Sequence, residues 1–168
     1  VLIRVDYNVP IQDDQIINDF RIIKSLETIK YCLAQNASVI IISHLGRPAG
    51  EINEKYSLEP VSWHLEDIIN TKIKFIDDCI SEKAIIASQK LKPKEIMMLE
   101  NLRFYNQELK NDEKFSKDLS KLGDIYINDA FGTAHRSHAS NVGITNHFKE
   151  RGYGFLIKNE IKYLKESI

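Results

Sequence analysis

Five short runs rich in isoleucine and valine recur along the chain. Between them lie segments whose apolar residues step by three and four. The runs are Val1–Val5, Val39–Ser43, Ile73–Ile76, Ile96–Leu99 and Asp124–Asn128. Each is nearly continuous in apolarity, as strands covered on both faces are. Ile22, Leu26, Ile29 and Leu33 mark one helical stripe, and Val61, Leu65, Ile68 and Ile69 mark another with Ser57 as its candidate N-cap. Ser81 is placed to cap a short helix running through Ala87. Phe115, Leu119 and Leu122 form a further stripe that Gly123 ends as a C-cap glycine would, and Ile157, Ile161, Leu164 and Ile168 form the last. Alternation at this spacing predicts an α/β fold in three layers, a mainly parallel sheet flanked by helices and connected by right-handed crossovers.

Bulk properties exclude several roles. A chain of 168 residues with 43% hydrophobic and 28% charged residues suits one soluble domain with its own core. A formal net charge of −1 gives no global field toward nucleic acid or acidic membranes, so any anion site must be a local concentration of positive charge. No run of about 18 apolar residues is present to span a membrane, and no signal peptide shows. Cys32 and Cys79 stand outside any CxxC and read as reduced core thiols of a cytoplasmic protein. The chain begins at Val1 already inside an apolar run and ends at Ile168 inside a helical pattern, which reads as a piece of a longer protein.

Ligands of parallel α/β sheets bind beyond the carboxyl ends of the strands. The segments there are Asp6-Tyr-Asn8-Val-Pro10, SHLGRP from Ser43, ENLRF from Glu100 and NDAFGTAHRSHAS from Asn128. The chain holds 6 arginines and 17 lysines, and the arginines gather at this rim. Arg47, Arg103 and Arg136 fall in the post-strand loops, Arg4 in the first strand, and Arg21 at the opening of the first helix; only Arg151 lies elsewhere. A guanidinium is a planar five-donor fork that matches carboxylate and phosphate oxygens in pairs. Five of them on one rim repel one another unless an anion or acidic partners sit among them. The site reading is a small anion carrying phosphate and carboxylate; the plain alternative pairs each arginine with its own Asp or Glu.

His44, His135 and His138 share the rim. With Asp129 the last two could suggest a metal, but a cation among arginines is unfavourable, so no metal is expected. His64 and His147 sit in helical contexts and read as structural or exposed. Ser43, Ser137 and Ser140 lie near histidines, but none is in a GxSxG elbow. Neither GxxxxGK[ST] nor GxGxxG occurs. An anion rim without a nucleotide loop or an acid–base pair resembles half of a phosphoryl-transfer site, where positioning and electrostatics dominate.

In order and spacing, RVDYNVP, SHLGRP, Lys55-Tyr-Ser-Leu58-x-Pro60, ENLRF and NDAFGTAHRSHAS resemble the N-terminal domain of phosphoglycerate kinase. The resemblance covers essentially the whole chain, and SHLGRP together with DAFGTAHRSHAS is specific to that family. It implies two Rossmann-like domains joined by a hinge, and reversible phosphoryl transfer from 1,3-bisphosphoglycerate to ADP, giving 3-phosphoglycerate and ATP. It assigns Arg21 as catalytic and Asp6, Asn8, Arg21, His44, Arg47, Arg103 and Arg136 as substrate-binding. Arg4, His135 and His138 complete a basic patch, and Gly132 would let the loop turn tightly enough to aim its side chains.

Residues 1–168 would then be the phosphoglycerate-binding domain alone, with its own C-terminal domain as partner and Mg-ADP or Mg-ATP bound there. No cofactor or metal is expected on this segment. The resemblance further implies a cytoplasmic monomer without nucleic-acid or membrane partners. Phe20 and the HFKERGYGFL segment depart from the usual family pattern, and the substrate-binding motif positions do not. Two other readings are a stand-alone sugar-phosphate-binding module and a metal-dependent hydrolase using Asp129, His135 and His138.

Overall fold

The computed structural model describes residues 1–166. Its centre is a strand that cannot face water on either side: β1 (Leu2–Arg4) is wholly buried. It pairs in parallel with β4 (Val39–Ile42) and with β7 (Ile125–Asn128), registering Leu2 with Ile40 and with Tyr126. Outside β4 lie β6 (Ile96–Leu99) and then β5 (Ile73–Ile76); outside β7 lies β8 (Glu150–Tyr153). The six-stranded sheet has the order β5-β6-β4-β1-β7-β8, and every pairing is parallel.

Alternation along the strands divides the core into two layers. Ile3, Val5, Val39, Ile41, Ile96 and Met98 pack with Ile22 and Ile29 of α1 (Phe20–Ala34) and with Val61 and Leu65 of α2 (Glu59–Ile69). Leu2, Ile40, Ile42, Met97 and Leu99 pack with Ala84 and Ala87 of α3 (Glu82–Gln89). Phe115 and Leu119 of α5 (Glu113–Ser120) join this second layer, and the one-turn α4 (Asn106–Leu109) precedes them. α6 (Phe155–Glu166) packs against α1. The three layers expected from the alternation are present, and so are all five expected strands. Ile168, the last residue of the expected terminal stripe, lies outside the described residues.

Other expectations need correction. β8 carries no Ile or Val; ERGY pairs on one side only, and an edge strand needs no apolar run. β2 (Ile11–Gln12) and β3 (Gln15–Ile16) form a small hairpin turned by Asp13 and Asp14 at φ 50° and 58°, the positive pair a tight hairpin turn needs. Ser57 is not the cap of α2, because that position is Leu58 and the helix opens on Pro60 in its first turn. Ser57 instead donates to Glu100 Oε2 at 2.7 Å, tying its loop to ENLRF. Gly123 is not a left-handed cap either. It follows α5 at a distance and gives room: a Cβ there would lie 3.2 Å from Leu2 Cβ. Ser81 caps α3 as expected, accepting from the Ala84 amide at 3.2 Å.

One buried carboxylate joins three elements at the carboxyl edge of the sheet. Asp129, just after β7, accepts from Thr28 Oγ1 of α1 at 2.6 Å and from the Leu156 and Ile157 amides at 3.0 and 3.3 Å. Thr28 Oγ1 in turn accepts from the Phe155 amide at 2.9 Å. The first turn of α6, whose amides have no partners within the helix, is thereby satisfied. Burial pushes the Asp129 carboxyl up, and the Thr28 and α6 bonds pull against that shift. Thr28→Val should cost about 1–3 kcal/mol, because it strands the Phe155 amide and leaves an Asp129 oxygen without its donor. Hydrogen exchange checks where the cost falls: amides of residues 155–157 should exchange faster, while those of β1 and β4 change only with global stability. A uniform change would contradict the clamp.

Candidate functional site

The order β6-β4-β1-β7 sets four post-strand loops side by side, with the start of α1 beside them. They enclose a pocket of about 220 Å³ lined by Asp6, Asn8, Arg21, His44, Gly46, Arg47, Arg103, Gly132, Thr133 and Arg136.

The loops are fastened to one another through polar side chains. Asn101 donates to the Leu45 and Tyr56 carbonyls at 2.7 and 2.9 Å and accepts from the Leu45 and Arg103 amides, so SHLGRP and ENLRF move as a unit. Asn8 Oδ1 accepts from the Gly46 amide at 2.9 Å, and Arg103 Nη1 donates to the Gly46 carbonyl at 2.8 Å. Gly46 holds φ +62°, with the Tyr56 ring where a Cβ would stand. Asp6 accepts from the Asn8 amide through Oδ1 and from Arg21 Nη1, at 2.5 Å, through Oδ2.

The arginines divide by partner. Among the described residues, only Arg21 of the arginines makes a salt bridge, with Asp6. Arg47 and Arg136 are exposed, and their guanidiniums have no hydrogen-bond or ion-pair partner among the described residues. Arg103 is buried and its Nε is unpartnered. Burial first, then the neighbouring Arg4, Arg136 and Arg47, loosens the Arg103 proton. Separate pairing of each arginine with its own acid therefore does not describe the rim.

The structure brings together Asp6, Asn8, Arg21, His44, Arg47, Arg103 and Arg136, and leaves Arg4, His135 and His138 outside the lining. Arg4 is not a rim residue but wholly buried beneath the pocket, bonded to Ser140, His44 and the Val5 carbonyl. His135 is exposed, and His138 is buried with Nδ1 unpartnered. Gly46, Gly132 and Thr133 also line the pocket without having been expected to touch a ligand, although all three sit inside motifs already singled out. The part foreseen for Gly132 also changes. Its φ is not positive; the glycine gives space, since a Cβ would lie 2.6 Å from Asp6 Oδ2. His64 reaches Asp19 at 3.0 Å, linking α2 to the start of α1. Asp129 is committed to its clamp, and among the described residues no group of three or more His, Cys, Asp and Glu could hold a metal ion.

The sequence model of the phosphoglycerate kinase family matches residues 1–168. The chain belongs to that family. Its curated relatives include the phosphoglycerate kinases of Finegoldia magna, 49% identical over 170 residues, and Prochlorococcus marinus, 45% identical over 169. Each alignment takes in 100% of this chain, but only 43% and 42% of the respective relative. Among solved structures, phosphoglycerate kinase from Coxiella burnetii superposes with a TM-score of 0.88 at 35% identity, over 99% of this chain and 41% of that one. The Pyrococcus horikoshii enzyme also gives 0.88, at 36% identity, over 98% of this chain and 42% of that one. The chain thus spans about two-fifths of its relatives' length, and the family fold accounts for the parallel sheet seen here.

Crowded cations leave a measurable trace in this family member. Burial, followed by Arg103, Arg4, Arg136 and His135, lowers the His138 pKa from 6.5 to about 4. A lowered folded value means the unfolded chain takes the proton first. The stability that neutral His138 contributes is therefore complete above pH 6.5 and lost as the pH falls toward 4. His138→Asn should flatten the fall in Tm between pH 7 and pH 5 measured by calorimetry; an unchanged slope would show that His138 titrates normally.

Proposed function

We propose that this chain is the phosphoglycerate-binding domain of a phosphoglycerate kinase, which transfers a phosphoryl group reversibly from 1,3-bisphosphoglycerate to ADP, giving 3-phosphoglycerate and ATP. The observation that carries the reading is the convergence of Arg21, Arg47, Arg103, Arg136 and His44 on one small pocket in which two guanidiniums have no partner among the described residues. A volume of about 220 Å³ limits the ligand to a small molecule. The donor set favours a ligand with anionic oxygens at both ends, as phosphate and carboxylate provide.

Within this reading Arg47, Arg103 and Arg136 bind and orient the ligand as charged forks. Asp6 and Asn8 hold the glycerate hydroxyl region and keep the SHLGRP loop in place. Arg21 is the catalytic residue. Asp6 engages only its Nη1, which leaves the rest of the fork free at a half-exposed position. Phosphoryl transfer spreads charge over the equatorial oxygens of the moving group, and a preset cation there lowers the barrier without being consumed. In this reading Mg-ADP and Mg-ATP are bound by the C-terminal domain that the resemblance of SHLGRP and DAFGTAHRSHAS to the family implies. When bound, Mg²⁺ neutralises phosphate charge. The present residues bind, orient and stabilise the transferring group. A cytoplasmic monomer fits this assignment, and among the described residues no helix is long and apolar enough to cross a membrane.

Calorimetric titration with 3-phosphoglycerate tests the pocket. The unmodified protein should bind, and Arg136→Ala should lose about 1.5–3 kcal/mol, on the order of ten- to a hundredfold in Kd. A folded protein that gives no heat, or an Arg136→Ala variant that binds equally well, would refute the assignment. In the intact enzyme, Arg21→Ala should lower kcat by on the order of a hundredfold or more, with a smaller change in KM. Equal losses through KM alone would reduce Arg21 to a binding residue.

A further inference from the structure

We infer that Arg4, braced by Ser140 and Glu108, is a positioning residue that fixes His44 as a neutral imidazole carrying its proton on Nε2, so that the pocket receives an uncharged donor. The inference rests on the pocket being the anion site proposed above, but its core concerns one ring and can be read without a ligand.

The direction of each bond follows from donor chemistry. Arg4 is 0% exposed. Its Nε donates to Ser140 Oγ at 2.8 Å, and its Nη2 lies 3.0 Å from His44 Nδ1. A guanidinium has donors only, so His44 Nδ1 must supply a lone pair. Ser140 Oγ, already accepting from Arg4, gives its single hydrogen to Glu108 Oε1 at 2.5 Å. The Ser140 amide donates to Glu108 Oε2 at 2.9 Å. Glu108 is itself 0% exposed and supplies the negative charge that a buried guanidinium requires.

With Nδ1 accepting, the proton of neutral His44 resides on Nε2. That ring lines the pocket, and Nε2 stands 3.9 Å from Asp6 Oδ1, too far for a hydrogen bond. The Nε2–H is therefore unspent among the described residues. A second proton on Nδ1 would set N–H against N–H across 3.0 Å. The charged and titratable groups around the ring are Arg4, Arg103, Arg21, His138 and Asp6, four of them cations or potential cations. Burial and then Arg4 hold its pKa far below the usual imidazole value. A neutral donor adds recognition at the rim without adding to the repulsion among the arginines.

The test is the long-range proton–nitrogen NMR spectrum of the intact protein with ¹⁵N-histidine, His44 being assigned by its loss in His44→Gln. From pH of about 5.5 to 8, Nδ1 should read as unprotonated and Nε2 as protonated, with no titration across this range. A His44 that titrates there, or one protonated on Nδ1, overturns the inference. In Arg4→Met with Glu108→Gln, both buried charges are removed together and their shapes are roughly kept. The ring should then average between tautomers, and 3-phosphoglycerate affinity should fall several-fold. If that double variant retains the fixed pattern, Arg4 does not set it. Should it fail to fold, Ser140→Ala gives the same readout by removing the brace alone. Absence of 3-phosphoglycerate binding in the unmodified protein, beside the expected His44 pattern, would sink the functional reading and leave this assignment standing. Binding beside a titrating His44 would do the reverse.

Discussion

Like charges do not gather of their own accord. Bringing Arg21, Arg47, Arg103 and Arg136 around one small cavity costs free energy, and after burial the neighbouring arginines loosen the Arg103 proton further. The remainder of the structure can be understood as the frame that withstands it. β1 lies between β4 and β7, so three strands deliver their loops to neighbouring points. Strands buried on both faces cannot slide apart to relieve repulsion at their ends without exposing Ile3, Val5, Ile41 and Ile42.

The frame is stiffened by side-chain bonds to backbone and hydroxyl groups rather than by acids set against the arginines. Asn101 bonds four backbone groups of two loops, and Asn8 holds Gly46. Among the described residues, only Arg21 of these arginines receives a carboxylate in direct contact. Placing an acid against each remaining arginine would have stabilised the empty protein and weakened its attraction for an anion. Stability and function pull against each other here, and the loops settle the conflict with amides. Burying Arg4 against Ser140 and Glu108 follows the same logic one layer down, because that cation is compensated where the ligand cannot reach it.

Much of this was legible from residue order, for physical reasons. Five strands were visible because a strand covered on both faces must be apolar at nearly every position. β8 was not, because ERGY pairs on one side only. The β2–β3 hairpin was hidden by strands of two residues and a turn made by two aspartates rather than glycine. The pocket set emerged because strand ends are where parallel sheets bind ligands. Arg4 sits beneath the rim rather than on it; period-two alternation puts it on the same face as Leu2, which points into the layer beneath α5. The reason for Gly132 was also out of reach, since the contact it permits is with Asp6, distant in sequence and adjacent only in space.

The unpartnered guanidiniums of Arg47 and Arg136 have a practical corollary. On the proposed reading, phosphate, sulfate and citrate in ordinary buffers present the same paired oxygens as the ligand and compete with it for the unspent forks. Any affinity measured in such a solution reports an exchange of one anion for another, and it will vary with the choice of buffer salt as well as with ionic strength. Chloride-based or zwitterionic buffers are the medium in which this pocket shows its own preference.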